Sequence, residues 1–147
     1  MDQCSEQSSA LDKVLGKWVE VKRVGFDSVA RAMDLSAESK AFFENSTSVL
    51  GFARNGDTWT LQIGSAEAPQ IPSYTFRFGQ PHYSSNMDGT PLKGMVLPEG
   101  DRLVARYESI GPKPYVMEVV VPEVHGDSMK CLITIEGETI ESTYKRQ

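Results

Sequence analysis

Between residues 16 and 24 (GKWVEVKRV) apolar and polar positions alternate. Trp18, Val19 and Val21 are interleaved with Lys17, Glu20 and Lys22, which fits an extended strand. The period then changes. Phe26, Val29, Ala30 and Met33 fall at i, i+3, i+4 and i+7, one face of a short helix. A break at Asp34-Leu35-Ser36 precedes a second helical stretch over residues 37–44, with Ser36 placed to cap its first turn. The pattern predicts a helix-turn-helix inserted after the first strand.

From residue 46 onward the pattern is β. Asn55-Gly56 signals a tight hairpin, and residues 58–63 (TWTLQI) follow with a period of two. Residues 74–78 (YTFRF) alternate again and stop at Gly79. Further strands are predicted over 92–97, 102–108, 115–121, 129–135 and 139–145. Turns at Glu99-Gly100, Gly111-Pro112, Gly126-Asp127 and Glu136-Gly137 separate them. Short strands with turns at such intervals describe a meander, hence a sandwich or a barrel. An up-and-down barrel of roughly eight to ten strands leaves no open edge and can enclose a ligand, with the two helices as a lid. A helix-capped β-domain with a filled interior fits the pattern equally well.

Composition narrows the classes. The chain has 147 residues, 39% hydrophobic and 24% charged, enough for one core, so residues 11–147 read as one domain. Residues 1–10 (MDQCSEQSSA) are small and polar and read as a disordered tail, without the basic start and apolar run of a signal peptide. No stretch approaches the ~20 apolar residues of a membrane-spanning helix, so a cytoplasmic monomer is expected. The net charge of −5, with no Lys/Arg cluster, argues against nucleic acid. The helical segment sets Arg31 and Lys40 against Asp27, Asp34, Glu38 and Glu44, the wrong sign for phosphate. Cys4 and Cys131 lie far apart, in the tail and in a strand, and form no metal spacing. His82 and His125 both stand beside turns. There is no nucleophile elbow, HExxH, phosphate loop or EF-hand. The chain is therefore expected to be no enzyme and to need no cofactor or metal.

Several stretches resemble the intracellular lipid-binding proteins, the fatty-acid-binding and cellular retinoid-binding group. They are Leu15-Gly16-Lys17-Trp18, Phe26-Asp27 opening a helix, Asn55-Gly56-Asp57, Phe76-Arg77-Phe78-Gly79 and Leu92-Lys93-Gly94. Gly126-Asp127-Ser128-Met129-Lys130 and the closing Tyr144-Lys145-Arg146 look like divergent invertebrate members. The resemblance spans about residues 11–147 and implies a ten-stranded β-clam, a calycin-like barrel, with a helical lid between its first two strands. It also implies intracellular carriage of a small hydrophobic ligand such as a long-chain fatty acid, with transient membrane contact open to the lid.

The family's fatty-acid carriers meet the ligand carboxylate with two arginines and a tyrosine. Here the Arg-x-Tyr motif reads Ser142-Thr143-Tyr144, and the other arginine position falls at Pro122. A third basic position aligns with Thr90, and the aromatic gate near the portal is replaced around Pro69. A buried carboxylate without cations tends to bind a proton. Two alternatives to a fatty acid therefore stand beside it: a neutral-head lipid such as a retinoid or fatty alcohol, or an interaction protein with a filled cavity and no lipid. The candidate ligand-binding residues are Tyr144, Ser142, Tyr107, Cys131, Ile133 and Val120 on strands, with Phe26, Ala30 and Met33 on the first helix. Of Phe42-Phe43, one ring is expected to pack inward. Trp18 and Trp59 are expected in the core.

Overall fold

The computed structural model describes residues 11–147 except 69 and 122. The expected N-terminal tail, Pro69 and Pro122 lie outside the described residues. A 3-10 turn (Asp12–Val14) leads into β1 (Gly16–Val24), followed by helices α1 (Phe26–Ala32) and α2 (Ala37–Asn45). Then come β2 (Ser48–Asn55), β3 (Thr58–Ser65), β4 (Ser73–Phe76), β5 (His82–Ser85), β6 (Pro91–Glu99) and β7 (Arg102–Ser109). The last are β8 (Val116–Val121), β9 (Ser128–Ile135) and β10 (Glu138–Arg146). A two-residue segment, Val124–His125, resumes the pairing of β8 with β9 beyond residue 122, so it counts as the end of that strand.

All pairings are antiparallel, in the order β4-β3-β2-β1-β10-β9-β8-β7-β6-β5. β1 and β10 pair, which turns the meander back on itself into a ten-stranded, nearly closed barrel. The seam lies between β4 and β5, where the Tyr74 hydroxyl meets Ser85 Oγ at 2.6 Å. The predicted strands appear close to their expected bounds. β5 is the exception. Residues 82–85 (HYSS) carry no apolar alternation and no strand is predicted there, whereas His82 and Ser84 face inward on a strand and are buried.

Turn chemistry sets the registers. Ile135 faces Glu138 across the β9–β10 hairpin, and both loop residues, Glu136 and Gly137, have positive φ, as a type I′ turn demands. Gly25, between β1 and α1, has φ 95°, and a Cβ there would strike the Thr139 carbonyl of β10. That close approach brings α1 down onto β10 and β9. Ser36 caps α2 by accepting from the Ser39 N–H at 3.1 Å.

Trp18 and Trp59 are fully buried, as expected of core residues. Trp18 donates its indole N–H to the Val14 carbonyl at 2.8 Å. The Arg146 guanidinium lies 4.2 Å from its ring centroid and donates to the Leu15, Lys13 and Gly126 carbonyls. Trp59, Phe76, Phe78 and His82 form a second aromatic group with ring centroids 5.1–6.2 Å apart.

Candidate ligand cavity

The barrel encloses a cavity of about 180 Å³. The lid contributes Phe26, Val29, Met33 and Phe43 to its wall, and the strands contribute mostly aliphatic side chains such as Leu61, Met117 and Ile133. Of Phe42 and Phe43, the latter turns inward to the cavity, while Phe42 is exposed and meets its ring edge-on at 5.5 Å. Burying an aliphatic chain against such a wall is favourable by about 0.8 kcal/mol per methylene.

Tyr144, Ser142, Tyr107, Cys131, Ile133, Phe26 and Met33 all stand on the cavity wall. Val120 and Ala30 do not. The residues 119–121 are all valine, so alternation assigns no face. The register decides: Ile133 pairs with Val119, which puts Val119 and Val121 on the cavity side and turns Val120 away. Ala30, on the lid helix itself, is buried without reaching the cavity.

One end of the cavity is polar, and β1 creates it. Trp18 faces inward, and strand parity puts Glu20 inward as well. A register shift between Glu20 and Lys22 then resets the parity, so Arg23, not Lys22, follows Glu20 into the barrel. The Glu20 side chain is 7% exposed and that of Arg23 17%. The two form a bidentate pair: Arg23 Nε donates to Glu20 Oε2 at 2.9 Å and Nη2 to Oε1 at 2.5 Å. The rest of the guanidinium fork donates to the Phe43 carbonyl (2.7 Å) and the Ser46 carbonyl (3.2 Å), tying the end of α2 to the wall.

β10 completes the cluster. Glu20 pairs with Tyr144 and Arg23 with Ser142 across the β1–β10 ladder. Ser142 Oγ donates to Glu20 Oε2 at 2.7 Å, and the Tyr144 hydroxyl meets Ser48 Oγ at 2.9 Å. Burial pushes the Tyr144 phenol well above its ordinary range, so it stays protonated. Burial, helped by the charge of Glu20, pushes the Cys131 thiol up to about 12, which leaves it an inert wall residue. Glu20, Arg23 and Ser48 were not singled out from sequence. The two-residue step from Trp18 to Glu20 was a readable sign for the first. Arg23 needed the bulge, which no residue type announces.

The opposite wall has a smaller polar feature. His82, Gly94 and Tyr107 share one rung of β5, β6 and β7. A Cβ on Gly94 would fall on the Arg106 carbonyl and into the Tyr107 ring, so glycine makes the space that the ring occupies. The Tyr107 hydroxyl reaches His82 Nε2 at 2.9 Å, and the two rings meet edge-on. This bond holds Tyr107 against the wall. Burial lowers the His82 pKa, opposed by the Gln80 backbone, and raises that of Tyr107. His125, by contrast, is exposed beside Glu123. Among the described residues no group of His, Cys, Asp and Glu could hold a metal, and no helix is long and apolar enough to cross a membrane.

A nearly closed ten-stranded barrel, lidded by two helices after the first strand around an apolar cavity, is a fatty-acid-binding-protein-like fold, and the chain is similar in sequence to proteins of that kind. It is 26% identical to a fatty acid-binding protein of Schistosoma japonicum over 136 residues, 92% of this chain and 99% of that protein. It is 28% identical to the 14 kDa fatty acid-binding protein of Schistosoma mansoni, over 92% of this chain and 98% of the relative. The solved structure of a Schistosoma mansoni fatty acid-binding protein in complex with arachidonic acid superposes with a TM-score of 0.77 at 27% identity, covering 94% and 98% of the two chains. No family model matches the chain.

Proposed function

We propose that the chain binds one long-chain fatty acid or related lipid in the barrel cavity and carries it through the cytoplasm as a monomer. The observation that carries this reading is the cavity itself, walled by aliphatic and aromatic side chains with a single charged cluster at one end. The relatives named for fatty acids support it. In this reading Phe26 and Met33 of the lid and Cys131 and Ile133 of β9 contact the chain, and Ser142 and Tyr144 stand at its polar end. Tyr107, tethered to His82, narrows the far wall without filling the cavity.

Native mass spectrometry after incubation with a mixture of long-chain lipids tests the reading. One lipid adduct per chain is expected, and a protein that stays lipid-free would sink it. The lid sets Arg31 and Lys40 against Asp27, Asp34, Glu38 and Glu44, so collision with an anionic membrane is disfavoured. Ligand release then runs through the aqueous phase, and the transfer rate should stay constant as anionic vesicles are added. A rate that climbs with vesicle concentration contradicts this.

A further inference from the structure

The charge balance at the polar end of the cavity bears on the ligand's head group. Its cation, Arg23, lies directly across the ladder from Ser142 and is already neutralised by Glu20. Two of its donors go to that carboxylate and two more to the Phe43 and Ser46 carbonyls. The carboxylate is saturated in turn. It accepts from Arg23 Nε and Nη2, from Ser142 Oγ, and at 3.4 Å from the Ser48 N–H, which uses its about four lone-pair positions. Apart from one Nη1 hydrogen of Arg23, what remains unused belongs to hydroxyls. Ser142 Oγ keeps its lone pairs, and the Ser48–Tyr144 pair shares one hydrogen between the two oxygens and leaves the other hydrogen free.

We propose that Glu20 makes this end of the cavity a site for an uncharged, hydroxyl-bearing head group, that of a fatty alcohol or a monoacylglycerol, and discriminates against an ionised carboxylate. The proposal rests on the reading of the barrel as a lipid carrier. A hydroxyl head can donate to Ser142 Oγ and accept the free hydrogen of the Ser48–Tyr144 pair, so both of its bonds are met. A carboxylate would bring a second negative charge beside Glu20, where the positive charge is already spent. Buried like charges of this kind are relieved by protonation of one partner. The ligand would then enter as the neutral acid.

The test is displacement of a fluorescent fatty probe from the full chain by oleyl alcohol and by oleate, on the native protein and on Glu20→Gln. At about pH 8 the alcohol is expected to bind at least about tenfold tighter, the ratio that corresponds to one unit of protonation penalty. Glu20→Gln frees the charge of Arg23 and should shrink the alcohol-to-oleate ratio by a similar factor. On the native protein alone, oleate affinity should rise by up to about tenfold for each pH unit lowered, because the bound form is protonated. This arm decides the matter even where the variant does not fold. Oleate binding as tightly as the alcohol, a ratio that Glu20→Gln leaves unmoved, or a pH-independent oleate affinity would each overturn the head-group assignment and leave lipid carriage standing. Displacement by neither compound would remove both.

Discussion

The β1–β10 wall and the β5–β7 wall each bury polar groups inside the same barrel, but they satisfy them in opposite ways. On the first, Glu20 and Arg23 form a bidentate ion pair that also takes in Ser142 Oγ and the Phe43 and Ser46 carbonyls. On the second, His82 and Tyr107 are neutral and joined by one bond, and His82 Nδ1 and Ser84 Oγ are buried with no hydrogen-bond partner. The contrast separates two uses of buried polarity. A paired charge is costly to break and fixes geometry, here the end of α2 against the wall. A neutral hydrogen bond is weaker and leaves the wall adjustable. Rigid charge at one end and an adaptable aromatic wall opposite are what a cavity needs to orient a head group while accommodating a chain.

The comparison can be broken most severely at Arg23. Arg23→Ala leaves the Glu20 carboxylate buried without its cation and should destabilise the fold by about 3–5 kcal/mol in urea unfolding. The double change Glu20→Leu with Arg23→Met should recover most of that loss. A double variant as unstable as the single one would show that the pair is not an energetic unit. On the other wall, Gly94→Ala drives a methyl group into the Arg106 carbonyl and the Tyr107 ring and should cost about 1–3 kcal/mol by overpacking. Displacement of the ring should also be visible as loss of the His82–Tyr107 coupling in the imidazole NMR signals. Tyr144→Phe removes the partner of Ser48 Oγ and should cost about 1 kcal/mol in the same unfolding assay.

The smallest expected effect is a pH dependence. Burial holds the His82 pKa below its ordinary value of 6.5, so the unfolded chain takes up the proton first. Stability from this group is complete above about pH 6.5 and falls as the pH drops toward the lowered folded value. The difference in stability between the native protein and His82→Gln should shrink on acidification through that window. A difference that grows would mean that folding raises, and does not lower, the His82 pKa.

Most of the fold was legible because its signals are local. Alternation in residues 16–24, the change of period at Phe26, the Ser36 cap and the Glu136-Gly137 turn each act within a few residues. β5 was not legible, because His82-Tyr83-Ser84-Ser85 has the composition of a turn and becomes a strand only by pairing with β6. The candidate site was half legible for the same reason. Ser142 and Tyr144 stand at positions of a linear motif, whereas the partners that complete their cluster come from β1 and β2 and depend on a bulge. Val120 was misplaced because a run of three valines carries no face.

Lipid carriage and head-group selection both require a lipid chain lying inside the barrel. Intermolecular NOEs on the protein saturated with oleyl alcohol test this directly. The chain methylenes should contact the methyl groups of Val119, Ile133 and Met117 on the cavity wall, and the hydroxyl end should perturb Ser142 and Tyr144. Contacts confined to the exposed Val21, Val24 and Leu97 on the outside of the barrel would contradict it.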